Sequence, residues 1–312
     1  MNGYSESVNK LFVSQLSDWE LARVNYDLLS KVVTKEVVFG KFKILVQFNP
    51  ERMRSSAAKV DARSIGERPC FLCSKNRPSI QTGIRFEPDL NILVNPFPIF
   101  PQHLTIPSEI HSDQRILVHF PKMLELARAM PGFLFFYNGP QCGASAPDHF
   151  HFQAGNRGFL PIETDFSKGE IARILSLESG VGIWYWPDYL RGIVTLKGKD
   201  KDNISDAFCK MYFKLTSIQP DKPEPMLNIL AYYEKPDWII HIIPRKLHRP
   251  KQFFLEGAYQ ILFSPASVDL GGVIITPREE DFNKISQSDI VDMFNQVCFS
   301  KAELESFFNQ TS

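Results

Sequence analysis

The pattern of apolar and polar positions predicts an alternation of helices and strands along the chain. Residues 6–33 carry apolar side chains at helical spacing, and Ser17 with Glu20 resembles a capping box, which indicates two packing helices with a break at Ser17. Residues 42–48 read as a strand. Further predicted strands lie at 90–98, 103–107, 132–137, 149–153, 190–196, 226–233 and 238–244, and further helices at 112–130, 203–216 and 280–312.

The order strand, helix, strand, strand occurs twice, at an offset of roughly 90 residues. This repetition predicts an α+β protein of two similar halves that have antiparallel sheets flanked by helices and pack these sheets together. The expected division is an N-terminal helical segment at 1–35, a first half at 36–165, a second half at 166–280 and a C-terminal helical tail at 281–312.

The charge and the cysteine count limit the classes of protein to consider. The 35 Lys and Arg residues balance 35 Asp and Glu residues, so no basic excess is available for general nucleic-acid binding. Residues 1–10 are polar, and no apolar run approaches the length that spans a bilayer, which predicts a soluble cytoplasmic protein without a membrane partner. Five cysteines with one close pair indicate reduced thiols and a metal knuckle rather than a disulfide framework.

The strand at 149–153 is the main candidate for chemistry. Because side chains alternate along a strand, His149, His151 and Gln153 are expected to point to one side, and Phe150 and Phe152 to point into a core on the other. Three hydrogen-bonding side chains on one face are costly to bury without partners, so they are predicted to line a cleft. The alternative is a core strand with two surface histidines.

The loop before this strand is suited to phosphate. Gly143 and Ser145 lie in it, where exposed backbone N–H groups and a hydroxyl could hold phosphate oxygens, and the Asn138 amide could donate as well. A neutral imidazole whose other nitrogen is held by an acceptor can attack an α-phosphorus and form a phosphoramidate. The labile P–N bond can then pass the nucleotidyl group onward.

The segment His-Phe-His-Phe-Gln at 149–153 resembles the H-x-H-x-Q signature of the histidine-triad superfamily. The matching branch contains galactose-1-phosphate uridylyltransferases, diadenosine tetraphosphate phosphorylases and GDP-L-galactose phosphorylases. The resemblance implies that His151 is the nucleophile and that Gln153 replaces the third histidine of the hydrolase branches. The spelling through Ala154 is most similar to the GDP-hexose phosphorylases. Asp148 departs from the usual uridylyltransferase spacing, as an extra residue directly before the signature.

Cys70 and Cys73 form a C-x-x-C knuckle whose thiolates can both reach one Zn²⁺, although two free thiols in a turn would give the same pattern. The knuckle resembles that of bacterial galactose-1-phosphate uridylyltransferases. This resemblance implies a structural zinc with His111 and His149 as the third and fourth ligands, and His103 is the competing third ligand. No organic cofactor is expected.

Cations should converge on a cleft that binds phosphates. Arg52 and Arg54 follow the strand at 42–48, where uridylyltransferases have arginines for the distal phosphate, and a solvated loop is the equal alternative. In the second half His241 stands at the place of the motif, but no H-x-H-x-Q occurs, so this half is expected to be degenerate. Arg245 and His248 belong to a basic cluster after a strand that could hold the acceptor phosphate or sugar phosphate; a basic surface turn is the alternative.

The resemblance implies double displacement from a nucleotide sugar or dinucleoside polyphosphate to phosphate or to a sugar 1-phosphate. The spelling of the signature favours phosphate, and the knuckle favours the sugar phosphate. A histidine-triad hydrolase and a non-catalytic nucleotide sensor are the alternative classes. Gln153 argues against the hydrolase, and the intact set of His149, His151 and Gln153 argues against the sensor. The superfamily often dimerises, whereas a chain of two halves can satisfy this need internally, so both a monomer and a homodimer stay open.

Overall fold

A ten-stranded antiparallel sheet forms the centre of the protein, in a computed structural model that describes residues 3–53, 61–86 and 88–309. The described strands are β1 Val33–Phe39, β2 Phe42–Phe48, β3 Gly83–Phe86, β4 Leu90–Val94, β5 His103–Pro107, β6 Phe133–Asn138, β7 His151–Asn156, β8 Arg173–Glu178, β9 Val181–Tyr185, β10 Val194–Gly198, β11 Leu227–Glu234, β12 Asp237–Pro244 and β13 Val273–Thr276. The order across the large sheet is β3-β4-β5-β7-β6-β11-β12-β10-β9-β8. The remaining strands form a small sheet of order β1-β2-β13, in which β13 runs parallel to β2.

The helices pack on both faces of this sheet. They are α1 Gly3–Asp18, α2 Glu20–Leu29, α3 Ala62–Gly66, α4 Phe120–Ala129, α5 Pro161–Lys168, α6 Lys201–Ile218, α7 Ser267–Leu270, α8 Glu279–Lys284, α9 Gln287–Val297 and α10 Lys301–Asn309. The predicted α+β class, with antiparallel sheets flanked by helices, is confirmed. Within the described residues no helix has both the length and the hydropathy to cross a membrane.

The strand order of the large sheet is symmetric about its centre. The first five strands are repeated in mirror order by the last five, with α4 and α6 as equivalent crossovers. The sequence predicted two sheets that pack together. Instead, the two copies share one continuous sheet, because β6 pairs directly with β11. One row of paired residues therefore runs through both copies: Thr105, Gln153, Phe136, Leu230, His241 and Thr195.

The alternation of side chains on the central strands separates two hydrophobic cores. Phe150 and Phe152 lie in one core with the apolar faces of α4 and α6, as their spacing predicted. Phe136 lies in the other core, together with the small sheet and α9. The polar residues of β7 share the Phe136 face, so they open on the side of the sheet that the C-terminal third of the chain covers.

One predicted helix is shorter than its periodicity suggests. Within the segment at 112–130 the helix begins only at Phe120. The next residue, Pro121, has no backbone N–H, so it cannot make the hydrogen bond that would continue the helix into a preceding turn. The residues before it are held in an irregular path, since Gln114 N–H donates to Pro147 O at 3.0 Å and Ile116 N–H donates to Glu224 Oε1 at 2.6 Å. These bonds to distant segments replace the helical ones.

Candidate active site

A cavity of about 680 Å³ lies against the ends of β6 and β7. Its lining includes residues that the sequence predicted for the site, namely Arg52, Asn138, Gly143, Ser145, His151 and Gln153. Apolar residues of the lining include Trp19, Phe71, Leu72, Pro96, Phe97 and Ile99. The C-terminal third of the chain contributes Ser264, Ala266, Val268, Asp269 and Ile275. The cavity therefore offers polar groups for a charged ligand and apolar side chains for a flat ring.

His151 begins β7 and lines this cavity. Its Nδ1 lies 2.8 Å from the carbonyl oxygen of His149. Because a carbonyl oxygen only accepts, Nδ1 carries the proton, and Nε2 keeps its lone pair. Burial lowers the pKa of His151 to about 4, so the ring is neutral near pH 7. These features are those of a nitrogen nucleophile.

Gln114 holds the backbone of His151 in place. Its Oε1 accepts from His151 N–H at 2.8 Å, and its Nε2 donates to His151 O at 2.9 Å and to Asn138 O at 3.1 Å. Gln114 is fully buried. One side chain therefore ties the first residue of β7 to the last residue of β6, which fixes the two ends of the loop between them.

Gln153 is oriented by a buried histidine. His103 Nδ1 accepts from Ile99 N–H at 3.1 Å, so the proton of this ring is on Nε2, which lies 3.0 Å from Gln153 Oε1. Burial, with Arg52 nearby, lowers the pKa of His103 to about 3, so the ring stays neutral. Since Oε1 accepts this bond, the NH₂ group of Gln153 is the end of the carboxamide available to a ligand oxygen.

The loop between β6 and β7 is anchored from both sides. Asn138 Oδ1 accepts from Asn228 Nδ2 at 2.9 Å and from the N–H and Oγ of Ser267 at 2.8 and 2.7 Å, which leaves its amide nitrogen to donate to a ligand. Gly143 has φ +92°, and a Cβ there would lie 2.6 Å from Ala266 Cβ. A residue with a side chain would be both strained and obstructed at this point of the loop.

Four residues that the sequence analysis assigned to a metal lie together. Cys70, Cys73, His111 and His149 each place a ligand atom so that all four atoms are within 4.8 Å of one another. His149 Nδ1 lies 3.3 Å from Cys70 Sγ, and His111 Nδ1 lies 3.3 Å from Cys73 Sγ. The other nitrogen of His149 donates to Ser108 O at 2.8 Å, which leaves Nδ1 unprotonated for a metal. The donor set fits a metal with a preference for sulfur and nitrogen. His103, the competing ligand, contacts Gln153 instead.

The expectation that His149 shares the cleft face with His151 and Gln153 is wrong. β7 begins only at His151, so the strand alternation does not extend back to His149. The His149 ring points to Cys70 and Cys73. His149 is not one of the described residues that line the cavity. His149 contributes to the cavity through its carbonyl oxygen, which holds Nδ1 of the nucleophile candidate.

Arg52 lies at the inner wall of the cavity. Its Nη1 donates to Phe97 O at 2.8 Å. Burial lowers the pKa of Arg52 to about 10, and the nearby Asp269 carboxylate opposes this shift, so the guanidinium is charged at neutral pH. Burial also raises the pKa of Asp269 to about 6. Arg54, the second arginine of this pair, lies outside the described residues.

Arg245 is fully buried and engaged within the protein. Its N–H groups donate to Val297 O, Asn228 Oδ1, Pro265 O, Leu247 O and His248 O at 2.8 to 3.2 Å. A guanidinium has five N–H groups, so none is left for a phosphate. The predicted phosphate binding by Arg245 and His248 is wrong: neither belongs to the described residues that line the cavity, and burial lowers the pKa of His248 to about 4, which leaves it uncharged.

The second half has an aromatic filling where the first half has its cavity. His241 occupies the position of Gln153 in the symmetric row, and Thr195 lies opposite it as Thr105 lies opposite Gln153. Trp186 Nε1 donates to Thr195 Oγ1 at 2.8 Å, and the Trp186 ring lies 5.7 Å from the His241 ring. The space next to His241 is therefore occupied by side chains.

Sequence reasoning missed two residues that line this cavity, Arg68 and Asp269, and one residue behind it, Gln114. Gln114, Arg68 and Asp269 belong to no motif, and their roles depend on contacts between distant segments. The arginine was the only one with a local signal, because it stands two residues before the Cys70 knuckle.

Comparison with known proteins gives two family matches that together cover most of the chain. The family model described as "Domain of unknown function (DUF4922)" matches residues 11–156, and the one described as "GDPGP1-like, C-terminal domain" matches residues 166–310. A galactose-1-phosphate uridylyltransferase of Halalkalibacterium halodurans is 25% identical over 196 residues, which are 57% of this chain and 38% of that protein. The match thus spans well under half of the length of this relative.

Solved structures share the fold over nearly the whole chain. The yeast Ap4A phosphorylase Apa2 is 15% identical, with a TM-score of 0.58 over 90% of this chain and 94% of that chain. The same enzyme in complex with Ap4A gives a TM-score of 0.58 at 15% identity, over 90% of this chain and 97% of that chain. These matches show that the chain shares the fold of the Ap4A phosphorylase Apa2 and carries a GDPGP1-like C-terminal domain. They agree with the resemblance of the segment from His149 to Gln153 to the histidine-triad signature.

Proposed function

We propose that this protein transfers a nucleotidyl group from a nucleotide sugar or a dinucleoside polyphosphate to phosphate or a sugar 1-phosphate, through a covalent intermediate on His151. The observation that carries the proposal is a neutral imidazole with Nδ1 bound to a carbonyl oxygen, in a cavity that also contains an amide and an arginine. A protein that only senses nucleotides has no use for an activated nitrogen nucleophile.

Two displacements account for the transfer. His151 Nε2 attacks the α-phosphorus, a P–N bond forms, and the bond from phosphorus to the bridging oxygen breaks, so that the sugar 1-phosphate or nucleotide leaves with the electron pair. An oxygen of the acceptor then attacks the same phosphorus, and the P–N electron pair returns to Nε2. Gln153, Asn138 and the N–H groups of the loop would stabilise the charge on the non-bridging oxygens.

The relatives suggest both acceptors. A phosphorylase, as Apa2 is named, uses phosphate, and a uridylyltransferase uses a sugar phosphate. An ionised phosphate oxygen needs no general base. This agrees with the cavity, because among its described lining residues His151 is the one histidine and no second imidazole could act as a base. Water as the acceptor would make the protein a hydrolase.

We further propose that the Cys70, Cys73, His111 and His149 cluster holds a structural zinc ion. Two thiolates and two imidazoles would fill all four positions of a tetrahedral site, which leaves none for water or substrate. Zinc would supply a cross-link between the knuckle and the residue two positions before the nucleophile.

All five cysteines are free thiols, which favours a reducing compartment, and we propose the cytoplasm.

Intact-mass spectrometry tests this function. The purified protein is incubated with UDP-, GDP- and ADP-sugars and with dinucleoside polyphosphates, and spectra are recorded near neutral pH because the P–N bond is acid-labile. We expect an added nucleoside monophosphate on the wild type and on His248→Ala, whose ring lies outside the cavity, and none on His151→Ala. An adduct that persists in His151→Ala would exclude the proposed nucleophile.

A chase then identifies the acceptor. Removal of the label by phosphate with release of a nucleoside diphosphate indicates a phosphorylase, and removal by glucose 1-phosphate or galactose 1-phosphate indicates a transferase of the uridylyltransferase type. Spontaneous release of the nucleoside monophosphate without an acceptor would instead assign the protein to the hydrolases.

A further inference from the structure

Arg68 connects the cysteine knuckle to the loop between β6 and β7. It lies two residues before Cys70, and its side chain lines the same cavity as His151. Arg68 differs from the two other arginines discussed above, because Arg245 is engaged within the protein and Arg52 lies next to Asp269.

Three contacts hold the Arg68 guanidinium in one orientation. Its Nη2 donates to Ser145 O at 3.0 Å and to Asp148 Oδ1 at 3.2 Å. Its planar group lies over the Phe71 ring, with the Cζ atom 5.0 Å from the ring centre. Because the group is fixed on two sides, little side-chain freedom remains to be lost when a ligand binds.

The Nε–H group of Arg68 is buried and has no hydrogen-bond partner within the described part of the chain. A buried N–H without an acceptor is unfavourable, so such a group indicates an acceptor that arrives with a ligand. The ligand must be able to reach a cavity whose lining also includes Ser145, Asn138 and Gln153. Phosphate oxygens meet this requirement, and they bind guanidinium groups with charge-assisted hydrogen bonds.

We propose that Arg68 binds a phosphate oxygen of the nucleotide through its Nε–H, and that Asp148 positions it for this task. The inference rests on the proposed function for the identity of the ligand. Asp148 is the extra residue directly before the signature, and its second carboxylate oxygen lies 3.9 Å from His111 Nε2 of the metal cluster. Asp148 thus contacts both the Arg68 guanidinium and His111 of the cysteine and histidine cluster, and it holds both next to the loop between β6 and β7.

Calorimetric titration with GDP, UDP and ADP, and with guanosine, uridine and adenosine, tests the phosphate contact. For each diphosphate that binds the wild-type protein, Arg68→Ala is expected to weaken binding by about 10- to 100-fold, the range of one hydrogen bond to a charged group. The matching nucleoside is expected to bind both proteins equally. Arg63→Ala is the matched control, because Arg63 is exposed on α3 and pairs only with Glu67 among the described residues.

A second variant separates contact from folding. Arg68→Lys keeps a positive charge but lacks the planar fork, and it is expected to weaken diphosphate binding at least several-fold with an unchanged melting temperature. Equal losses for nucleoside and diphosphate would mean that Arg68 only supports the loop, and would overturn the proposal. Unchanged diphosphate affinity in both variants, or no diphosphate binding by the wild type, would do the same.

The experiments distinguish failure of the Arg68 proposal from failure of the proposed function. If the phosphate-dependent loss is found but no adduct forms on His151, Arg68 remains a phosphate ligand of a protein that is not a transferase. If the adduct forms and Arg68→Ala changes neither binding nor the rate of labelling, the transferase stands and the role of Arg68 is rejected.

Discussion

Replacement of His103 by leucine tests whether the orientation of Gln153 matters for transfer. His103 lies beneath the cavity wall and donates its Nε2 proton to Gln153 Oε1 at 3.0 Å. In His103→Leu this oxygen loses its donor, and the carboxamide is free to turn so that it presents oxygen instead of NH₂ to the phosphate. The change removes no group that itself reaches the cavity, since His103 is not among the described lining residues.

The expected effect on the rate follows from the bond to Gln153 that is lost. The replacement also removes the acceptor of Ile99 N–H, and this second loss is expected to lower the melting temperature. Leaving an acceptor without its donor costs about 1–3 kcal/mol, which corresponds to a rate of nucleotidyl-His151 formation that is about 5- to 150-fold lower. Because burial holds the pKa of His103 near 3, its protonation does not change between pH 6 and 8, and the ratio of the two rates is expected to be constant over this range.

The assay is the single-turnover rate of labelling, measured by intact mass with the donor that labels the wild type. His241→Leu is the matched control, because His241 is an equally buried histidine of the same sheet, in the half without the cavity. It is expected to lower the melting temperature without changing the rate. In a Gln153→Ala background, His103→Leu should add no further loss.

A full additional loss in the Gln153→Ala background would refute this reasoning, because His103 would then act by a route that does not include the carboxamide. A normal rate in His103→Leu would show that the loop and Arg52 fix the phosphate without Gln153.

Three further predictions concern stability and the metal. Gln114→Ala removes three hydrogen bonds to the backbone and is expected to lower the free energy of unfolding by about 2–4 kcal/mol in urea titrations, and a change within error would contradict the bracing role. Cys70→Ser is expected to reduce bound zinc, measured by elemental analysis, and to lower the melting temperature; wild-type protein free of metal would exclude the zinc proposal. Burial lowers the pKa of His241 from 6.5 to about 3, so the stability that its neutral form provides is present above pH 6.5 and is lost as the pH falls toward 3. From pH 7 to pH 5 the wild type should therefore lose about 2 kcal/mol more than His241→Leu, whereas parallel losses would show that this histidine does not titrate on unfolding.

The parts of the fold that the sequence predicts correctly are those with a local signal. The strand at 42–48 coincides with Phe42–Phe48, because its apolar positions and its proline boundary lie within a few residues. The strand at 190–196 begins four residues later, at Val194, because Leu190 has φ +61° and belongs to a turn. No residue pattern indicates a positive φ at a leucine.

The residues of the candidate site also divide into those that a local sequence pattern indicates and those that depend on contacts between distant segments. The cysteine knuckle and the segment from His149 to Gln153 are visible because ligands or paired side chains recur at short spacing. The error on Arg245 has the opposite origin, since a basic cluster after a strand looks exposed, and its burial depends on carbonyl groups from several distant segments. Asp269 reaches the cavity from the far end of the chain, a contact that only the assembled fold defines.

The symmetric row across β6 and β11 has a consequence for how specialisation arises in this protein. Two identical subunits must carry identical sites, so any residue that improves one site changes both. When the two copies are joined in one polypeptide, each position can vary alone, and Trp186 can seal one half while the other keeps its opening. The sealed half is then free to contribute its C-terminal extension, with Ala266 and Asp269, as a wall for its neighbour. Within one polypeptide, the filled half and the half with the cavity can therefore differ at equivalent positions.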